Sequence, residues 1–494
     1  MMEQLYPLFV AIPLGVAFIV LLFPKSLTRV VEGIVVTSAI VLVIMAFALI
    51  NHKPFMYQVG TWRIPLGIIL VSDTLSTLLL LIILVVGLLS IVFSLKYMDM
   101  YTGKIRFYSL FMLMITGMNG VVITGDMFNL FVFIEIATIA SYALVGFGCE
   151  ADELEASFKY MILGNVSSTF ILLAVAVLYA DFGTLNMADT ARLILSQGMD
   201  KAVLFAEALF IMGFGLKAAM VPFHAWLPDA HPSAPAPISA MLSGVLIKAC
   251  GIYALIRVSY TVIGMTSLIH IIFMTLGILS MVIGVLLAVG QWDFKRLLAY
   301  HSISQMGYVM LGIGLGTPLG ILGGLFHLMN HALFKSLLFL CSGAIEYSTG
   351  TRNLKEMGGL RKRMPFTAGS CSIASLSISG VPPFNGFWSK LIIIIALVQA
   401  GYYTLAAITV AVSFLTLVSF IKVQRYSLFG ELPEKLKHIK EVPATMCAAL
   451  VIFALLCIGT GILYPLYGKT LIVIARDTLM NQQKYIQMVL QMVP

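Results

Sequence analysis

The sequence predicts an all-α membrane protein of about fourteen transmembrane helices, and three observations predict it. Of 494 residues, 60% are hydrophobic and only 11% are charged, whereas soluble domains carry about 25% charged residues. Mean hydropathy is +1.02. Apolar runs long enough to cross about 30 Å of hydrocarbon recur along the whole chain. They fall roughly at 5–23, 30–50, 72–95, 107–124, 127–147, 157–180, 202–226, 237–260, 264–290, 299–316, 319–345, 366–399, 403–429 and 443–467. Their lengths are those of helices rather than barrel strands.

The N-terminal "MMEQLYPLFV" lacks the basic region and small-residue cleavage site of a signal peptide, so the first span is expected to be retained. Orientation follows from the 30 Lys and Arg, because short cytoplasmic loops hold the excess of positive charge. Eighteen follow odd-numbered spans, in clusters such as Lys25 and Arg29, Lys295 and Arg296, and Arg361, Lys362 and Arg363. Eight lie on the other side: Lys53, Arg63, Arg192, Lys201, Arg257, Lys469, Arg476 and Lys484. Both termini are therefore expected outside the cell membrane. The net charge of +8 belongs to loops that meet anionic headgroups and gives no support to nucleic-acid binding. The six cysteines form no C-x-x-C pair and read as packing residues rather than a metal cluster. No linker divides the chain, so residues 1–494 form one membrane domain. The stretches 51–71, 181–201, 346–365 and 430–442 are loop-sized, and 184–201 is expected to lie along the outer surface.

Two spans are interrupted in similar ways. The seventh reads "GFGLKAAMVPFHAWLPDAHPSAP" and the twelfth "SISGVPPFNGFWSKLII", each with a Pro-Phe pair, a nearby Trp and a Lys. Proline has no N–H and clashes with the carbonyl four residues back. Pro222 therefore frees the carbonyl of Ala218, and Pro382 and Pro383 free those of Ile378 and Ser379. Broken helices at membrane depth survive only where protein buries them or they line a wet cavity. Paired breaks in two halves of a chain are the best sequence pointer to a transport site. Trp226, Trp388, Phe223 and Phe384 beside the breaks read as packing residues.

The four remaining basic residues, Lys217, Lys248, Lys335 and Lys390, fall inside spans. Glu135 is eight residues past Met127, about 12 Å into the membrane, and Lys217 and Lys248 reach similar depths. Glu207, ten residues before Lys217, is expected at the outer interface. In "LFHLMNHALFKSLLFL" the residues His327, His331 and Lys335 recur every four positions, forming one polar column about 12 Å long. Ionisable residues inside a membrane are costly and mark ion or proton routes. Histidine takes up and releases protons near neutral pH. A metal site is disfavoured, because no carboxylate or thiolate accompanies the pair and Lys335 would repel a cation. Haem or quinone chemistry at His327 and His331 is disfavoured too, since ligands on one helix cannot face each other across a haem. A static ion pair would explain Glu135 with one lysine, but not four lysines with one deep carboxylate.

The segments "GLKAAMVPFHAWLPDAHPSAPAPISAMLSGVLIKACGIYAL", "RLLAYHSISQMGYV", "FHLMNHALFKSLLFL" and "SGVPPFNGFWSKL" resemble the antiporter-like subunits of respiratory complex I and of Mrp-type multisubunit cation/proton antiporters. The resemblance covers nearly the whole chain. It implies two inverted five-helix repeats, helices four to eight (about 107–260) and nine to thirteen (about 264–429), with helices seven and twelve broken. It implies a midplane proton chain from Glu135 and Lys217 through Lys248, His327, His331 and Lys335 to Lys390. Some relatives carry glutamate at the place of Lys390 and histidine at that of Gln305. The implied function is that of a transporter subunit rather than an enzyme, without cofactor, exchanging protons for Na⁺ or K⁺ beside partner subunits in the bilayer. The alternative is a proton-pumping subunit of complex I or of a membrane-bound hydrogenase.

Overall fold

A computed structural model describes residues 2–62, 64–467 and 471–491. The first half holds α1 (Glu3–Leu22), α2 (Lys25–Leu49), α3 (Thr74–Met100), α4 (Lys104–Ile123), α5 (Met127–Val145), α6 (Ala151–Phe182), a short α7 (Met187–Gln197), α8 (Lys201–Lys217), α9 (Leu227–Ser233) and α10 (Ala236–Ile263). The second holds α11 (Ser267–Val289), α12 (Phe294–Gly314), α13 (Pro318–Thr349), α14 (Pro365–Ser379), α15 (Asn385–Gln399), α16 (Tyr403–Leu428), α17 (Ala444–Tyr467), α18 (Leu471–Met480) and α19 (Gln482–Gln491). Among the described residues, 11 helices are long and apolar enough to cross a membrane. The expected seventh and twelfth spans are missing from that set because each is cut in two, as α8 with α9 and α14 with α15. The expected tenth, α12, is diluted by Lys295, Arg296, His301 and Gln305. Arg63 and Lys469, grouped with the outer loops above, lie outside the described residues.

Caps fix where the helices begin. Asp73 accepts from the Ser76 N–H at 2.8 Å while the Ser76 hydroxyl oxygen accepts from the Asp73 N–H at 2.9 Å, which satisfies two otherwise orphaned donors at the start of α3. Asp126 and Asp293 cap α5 and α12 without the reciprocal bond, accepting from the Asn129 and Arg296 N–H groups at 2.7 and 2.8 Å. Helices α6 and α13 are both 32 residues long, and each ends on a left-handed glycine, Gly183 and Gly350. Beyond those glycines Asn186 bridges back to Asp126, and Asn353 to Asp293. The two bridges tie residues sixty positions apart in each case.

Close backbone approach holds the bundle together, as expected where lipid gives helices no hydrophobic reason to associate. A Cβ on Gly117 would stand 2.4 Å from the Ala137 nitrogen, and one on Gly307 2.4 Å from that of Met281. These contacts join α4 to α5 and α12 to α11.

Several expectations are corrected. The stretch 51–71 contains an antiparallel ribbon, β1 (Phe55–Gln58) and β2 (Ile69–Ser72), anchored where the Tyr6 hydroxyl donates to the Val71 carbonyl at 3.0 Å. Helix α7 is two-faced: Met187, Ala188, Thr190, Ala191 and Ile194 are buried where it packs on the end of α10 and on α19, while Arg192, Leu195 and Gln197 are exposed. Glu207 is not interfacial but 2% exposed, accepting from the Ser259 hydroxyl at 2.7 Å. Arg257 does not sit in an outer loop. It is buried in α10, ion-paired with Asp73, and lies 4.8 Å from the Tyr485 ring. Lys295, grouped with the cytoplasmic loops, is buried in the first turn of α12 and paired with Glu346 at 2.9 Å.

The Asp73–Arg257 pair gives a test of stability. Removing one partner of a buried pair leaves an uncompensated charge costing about 3–5 kcal/mol. Arg257→Met should therefore lower the melting temperature of the detergent-purified protein and its level in membranes. Adding Asp73→Asn, which keeps a cap for α3, should recover most of the loss, as read by fluorescence-detected size exclusion after heating.

Candidate functional site

The first cluster lies where α5, α6 and α8 meet. Lys217 is the last residue of α8, so its charge complements the negative end of that helix. Its ammonium donates to the Ser168 hydroxyl at 2.9 Å and to the Gly164 carbonyl at 3.2 Å. The Ser168 hydroxyl in turn donates to Glu135, while Lys217 and Glu135 stand 3.6 Å apart. Ser168 thus bridges the pair. Exposure is unequal: the Lys217 side chain is 3% exposed and that of Glu135 21%, so the acid sits on the rim of the bundle and the base inside it.

The break after Lys217 is closed by side chains. The Trp226 indole N–H donates to the Leu216 carbonyl at 2.9 Å and stacks on Tyr160 with centroids 4.2 Å apart. Trp226 is therefore a packing residue that also adds a second donor to the Leu216 carbonyl, which accepts from the Ala219 N–H at 3.1 Å, rather than meeting the Ala218 carbonyl that Pro222 was expected to free. At the second break both carbonyls that the prolines were expected to free have partners. Ile378 accepts from the Lys390 ammonium at 2.8 Å, and Ser379 from the Ser413 hydroxyl at 3.2 Å. Lys390 also donates to Ser413 at 3.2 Å and lies 4.8 Å from the Tyr308 ring.

Between the breaks lie α10, α12 and α13. Helix α10 has wide, π-type turns over Leu242–Tyr253, a departure often found at functional sites, and Lys248 there donates to the Ser243 carbonyl at 2.6 Å. A Cβ on Gly244 would stand 2.0 Å from the Ser336 hydroxyl oxygen, so a larger residue there would turn that hydroxyl away from the Ala240 carbonyl to which it donates. On α13, Lys335 donates to the Leu298 carbonyl of α12. His327 Nε2 lies 3.1 Å from Gln305 Oε1, and its Nδ1 lies 2.9 Å from the Ser389 hydroxyl. These two contacts hold the His327 ring between Gln305 of α12 and Ser389 of α15. With both nitrogens engaged, His327 has none left for a metal. His331 is fully buried, its ring 6.4 Å from that of His327, and neither nitrogen has a partner among the described residues.

All seven expected residues thus lie in the interior or, for Glu135, at its rim. The geometry joins Glu135 to Lys217 and His327 to the helix of Lys390. Among the described residues no hydrogen bond joins Lys217 to Lys248 or His331 to either neighbouring lysine. Sequence reasoning did not find Ser168, Ser389, Ser413 or His231. The last is fully buried between Trp226 and Phe339 with both ring nitrogens unpartnered. Its signal was a second histidine beside the first break. A charged cavity of about 940 Å³, lined by Asp229, Arg296, Glu346 and Arg352 among others, opens above the Lys295–Glu346 pair.

Residues 124–416 match the family described as NADH:quinone oxidoreductase/Mrp antiporter, TM, and residues 56–108 match NADH-Ubiquinone oxidoreductase (complex I), chain 5 N-terminus. The chain belongs to the NADH:quinone oxidoreductase/Mrp antiporter family. Within that family it is 36% identical over 448 residues to the D-type Na⁺/H⁺ antiporter subunit of Alkalihalophilus pseudofirmus, covering 89% of each chain. It is 36% identical over 438 residues to the N-type NADH-quinone oxidoreductase subunit of Desulforudis audaxviator, covering 86% of this chain and 87% of that one. Its fold matches a chain in the structure of the Mrp complex from a Dietzia species with a TM-score of 0.92 at 30% identity, over 99% of this chain and 100% of the other.

The second break offers a test of packing. A Cβ on Gly386, at the start of α15, would stand 1.8 Å from the Ser377 carbonyl oxygen, whereas one on Gly369, near the start of α14, meets nothing within 4 Å. Gly386→Ala should destabilise the protein by about 1–3 kcal/mol through overpacking. Gly369→Ala should be neutral or stabilising by about 0.5–1 kcal/mol, both read as shifts in thermal unfolding in detergent.

Proposed function

We propose that this chain is a proton-conducting subunit of a multisubunit antiporter that exchanges protons for a monovalent cation, Na⁺ above all, in the cell membrane. The Ser168-bridged contact between Glu135 and Lys217 carries this reading. A base held inside the bundle and an acid at its rim share one hydroxyl, so a small movement of Glu135 changes what the lysine ammonium is balanced against. From Lys217 the proton passes by Lys248, the His327, His331 and Lys335 column, and Lys390. The intervals without direct hydrogen bonds are lined by unpartnered buried groups such as His331, the kind of site that ordered water bridges.

The Na⁺/H⁺ antiporter relative and the Mrp complex neighbour support the antiporter assembly, with other subunits as partners. We assign fourteen crossings, counting α8 with α9, α12, and α14 with α15 as spans, and two inverted repeats of five. The equal sixty-residue bridges from Asp126 and Asp293 support that duplication. Both termini then lie outside, and the charged cavity over Glu346 opens to the cytoplasm. One charge crossing 100 mV is worth about 2.3 kcal/mol, so exchange of unequal charges lets membrane potential drive cations out. The similarity to the NADH-quinone oxidoreductase relative favours a second reading, a proton-pumping subunit of a redox complex. Iron–sulfur partners in the gently purified assembly would decide for it, and small antiporter subunits against it.

Vesicles containing the whole complex test the pair through cation-induced ΔpH. Glu135→Gln and Lys217→Ala should each abolish exchange with every subunit present on blots. The double variant should be no worse than either single one, because both disable one step. Substantial exchange in Glu135→Gln vesicles would rule out a route through this pair.

A further inference from the structure

Helix α12 presents a run of groups to the row: the Leu298 carbonyl under Lys335, the Ser302 hydroxyl 2.7 Å from that of Ser243, Gln305 on His327, and Tyr308 beside Lys390. His301 stands one turn before Gln305 and is fully buried, yet belongs to none of these contacts. Its Nε2 lies 2.8 Å from the Ser419 hydroxyl of α16, and its ring packs on Phe420 with centroids 4.9 Å apart. Its Nδ1 has no partner among the described residues.

Ser419 is one of a series. Along α16 lie Ser413, which accepts from Lys390, then Thr416, then Ser419, then Lys422. Thr416 and Ser419 are buried, and Lys422 is half-buried and holds the Val289 and Gln291 carbonyls at the end of α11 at 2.7 and 2.6 Å. Ser413 and Ser419 are separated by about 9 Å of helix rise, and Lys422 lies about 4.5 Å further on. Hydroxyls thus run from the last lysine of the row to the helix end that carries Lys422 and Arg425. The charged groups of the row and of α16 around His301 are Lys335, Lys390 and Lys422.

We infer that His301 and Ser419 form a branch of the proton route, joining Lys390 and the Gln305 end of the row to the cytoplasmic surface along α16. The inference rests on the proton-conducting reading above. A neutral imidazole relays a proton by accepting it at one nitrogen and releasing the other proton from the second, so it needs a partner on each side. Ser419 supplies one. The unpartnered Nδ1 supplies the other, reached from the row through water. After each transfer the tautomer is reset by rotation of the ring or by a return exchange through the same partners, and no bond between heavy atoms changes.

The test uses the whole complex in vesicles, with blots for every subunit. His301→Gln keeps a side chain able to hold Ser419 but cannot take up and release protons, and should lower cation-dependent exchange by about ten-fold or more, the scale on which a positioned proton carrier acts. Ser419→Thr and Ser419→Val have nearly the same shape and differ in the hydroxyl. The first should exchange near the wild-type rate and the second as poorly as His301→Gln. Wild-type exchange in His301→Gln and Ser419→Val, alongside abolished exchange in Glu135→Gln, would overturn the branch and leave the row standing. Equal losses in Ser419→Thr and Ser419→Val would overturn it as well, by assigning Ser419 to packing. Exchange in Glu135→Gln would overturn the row and the branch together.

Discussion

Four ammonium groups inside one apolar bundle have to be solvated by something, and here backbone carbonyls do it. Lys217 meets Gly164, Lys248 meets Ser243, Lys335 meets Leu298 and Lys390 meets Ile378. Carboxylates would hold the lysines more tightly but would fix their charge, since a paired buried charge is costly to change. Carbonyl dipoles also favour the cation, but less strongly than a carboxylate would, so losing the proton costs less there. Among the described residues only Lys217 of the four has a carboxylate as well, and there a hydroxyl bridges the two.

For Lys248 and Lys390 that arrangement depends on irregular helices, whereas Gly164 and Leu298 offer their carbonyls from within the regular helices α6 and α12. A straight α-helix spends its carbonyls on its own N–H groups. The carbonyls that accept from Lys390 and Ser413 come from the turn that Pro382 and Pro383 disrupt, and the carbonyl under Lys248 belongs to a stretch of wide turns. Irregular backbone is tolerated at this depth because neighbouring helices bury it. The burial relies on glycine: Gly244 lets α10 touch α13 at Ser336, and Gly386 lets α15 abut the end of α14. Departures from ideal helix geometry and the places where side chains are missing are thus two parts of one construction.

Much of this was legible in the chain. Depth counted along apolar runs put the lysines and histidines inside, and the chemistry of proline named Ile378 and Ser379 as freed carbonyls before their partners were visible. The partners themselves were not legible. Serine and threonine in helices commonly bond the carbonyl four residues back, as Thr138 and Ser302 do with Ile134 and Leu298, so nothing marks Ser168, Ser389 or Ser413 as the ones that reach another helix. Glu207 was misplaced for a related reason. Distance from the end of a span fixes depth but not the face on which a side chain lies, and Ser259 meets it from α10. The strands β1 and β2, four residues each, are too short for alternation to stand out in an apolar sequence.

The paired bridges from Asp126 to Asn186 and from Asp293 to Asn353 also supply a ruler. Measured from the capping aspartate, Glu135 of the first half occupies the place that Ser302 holds in the second, and Ser168 the place of Lys335. One half offers an acid where its counterpart has a neutral alcohol, and an alcohol where its counterpart has a cation. On the proposed duplication, two unaltered copies of one scaffold would present a symmetric landscape with no preferred direction. These two exchanges break that symmetry, an acid facing Lys217 in one half and a lysine held by a carbonyl in the other, so a direction is written in the divergence of the halves rather than in the shape they share.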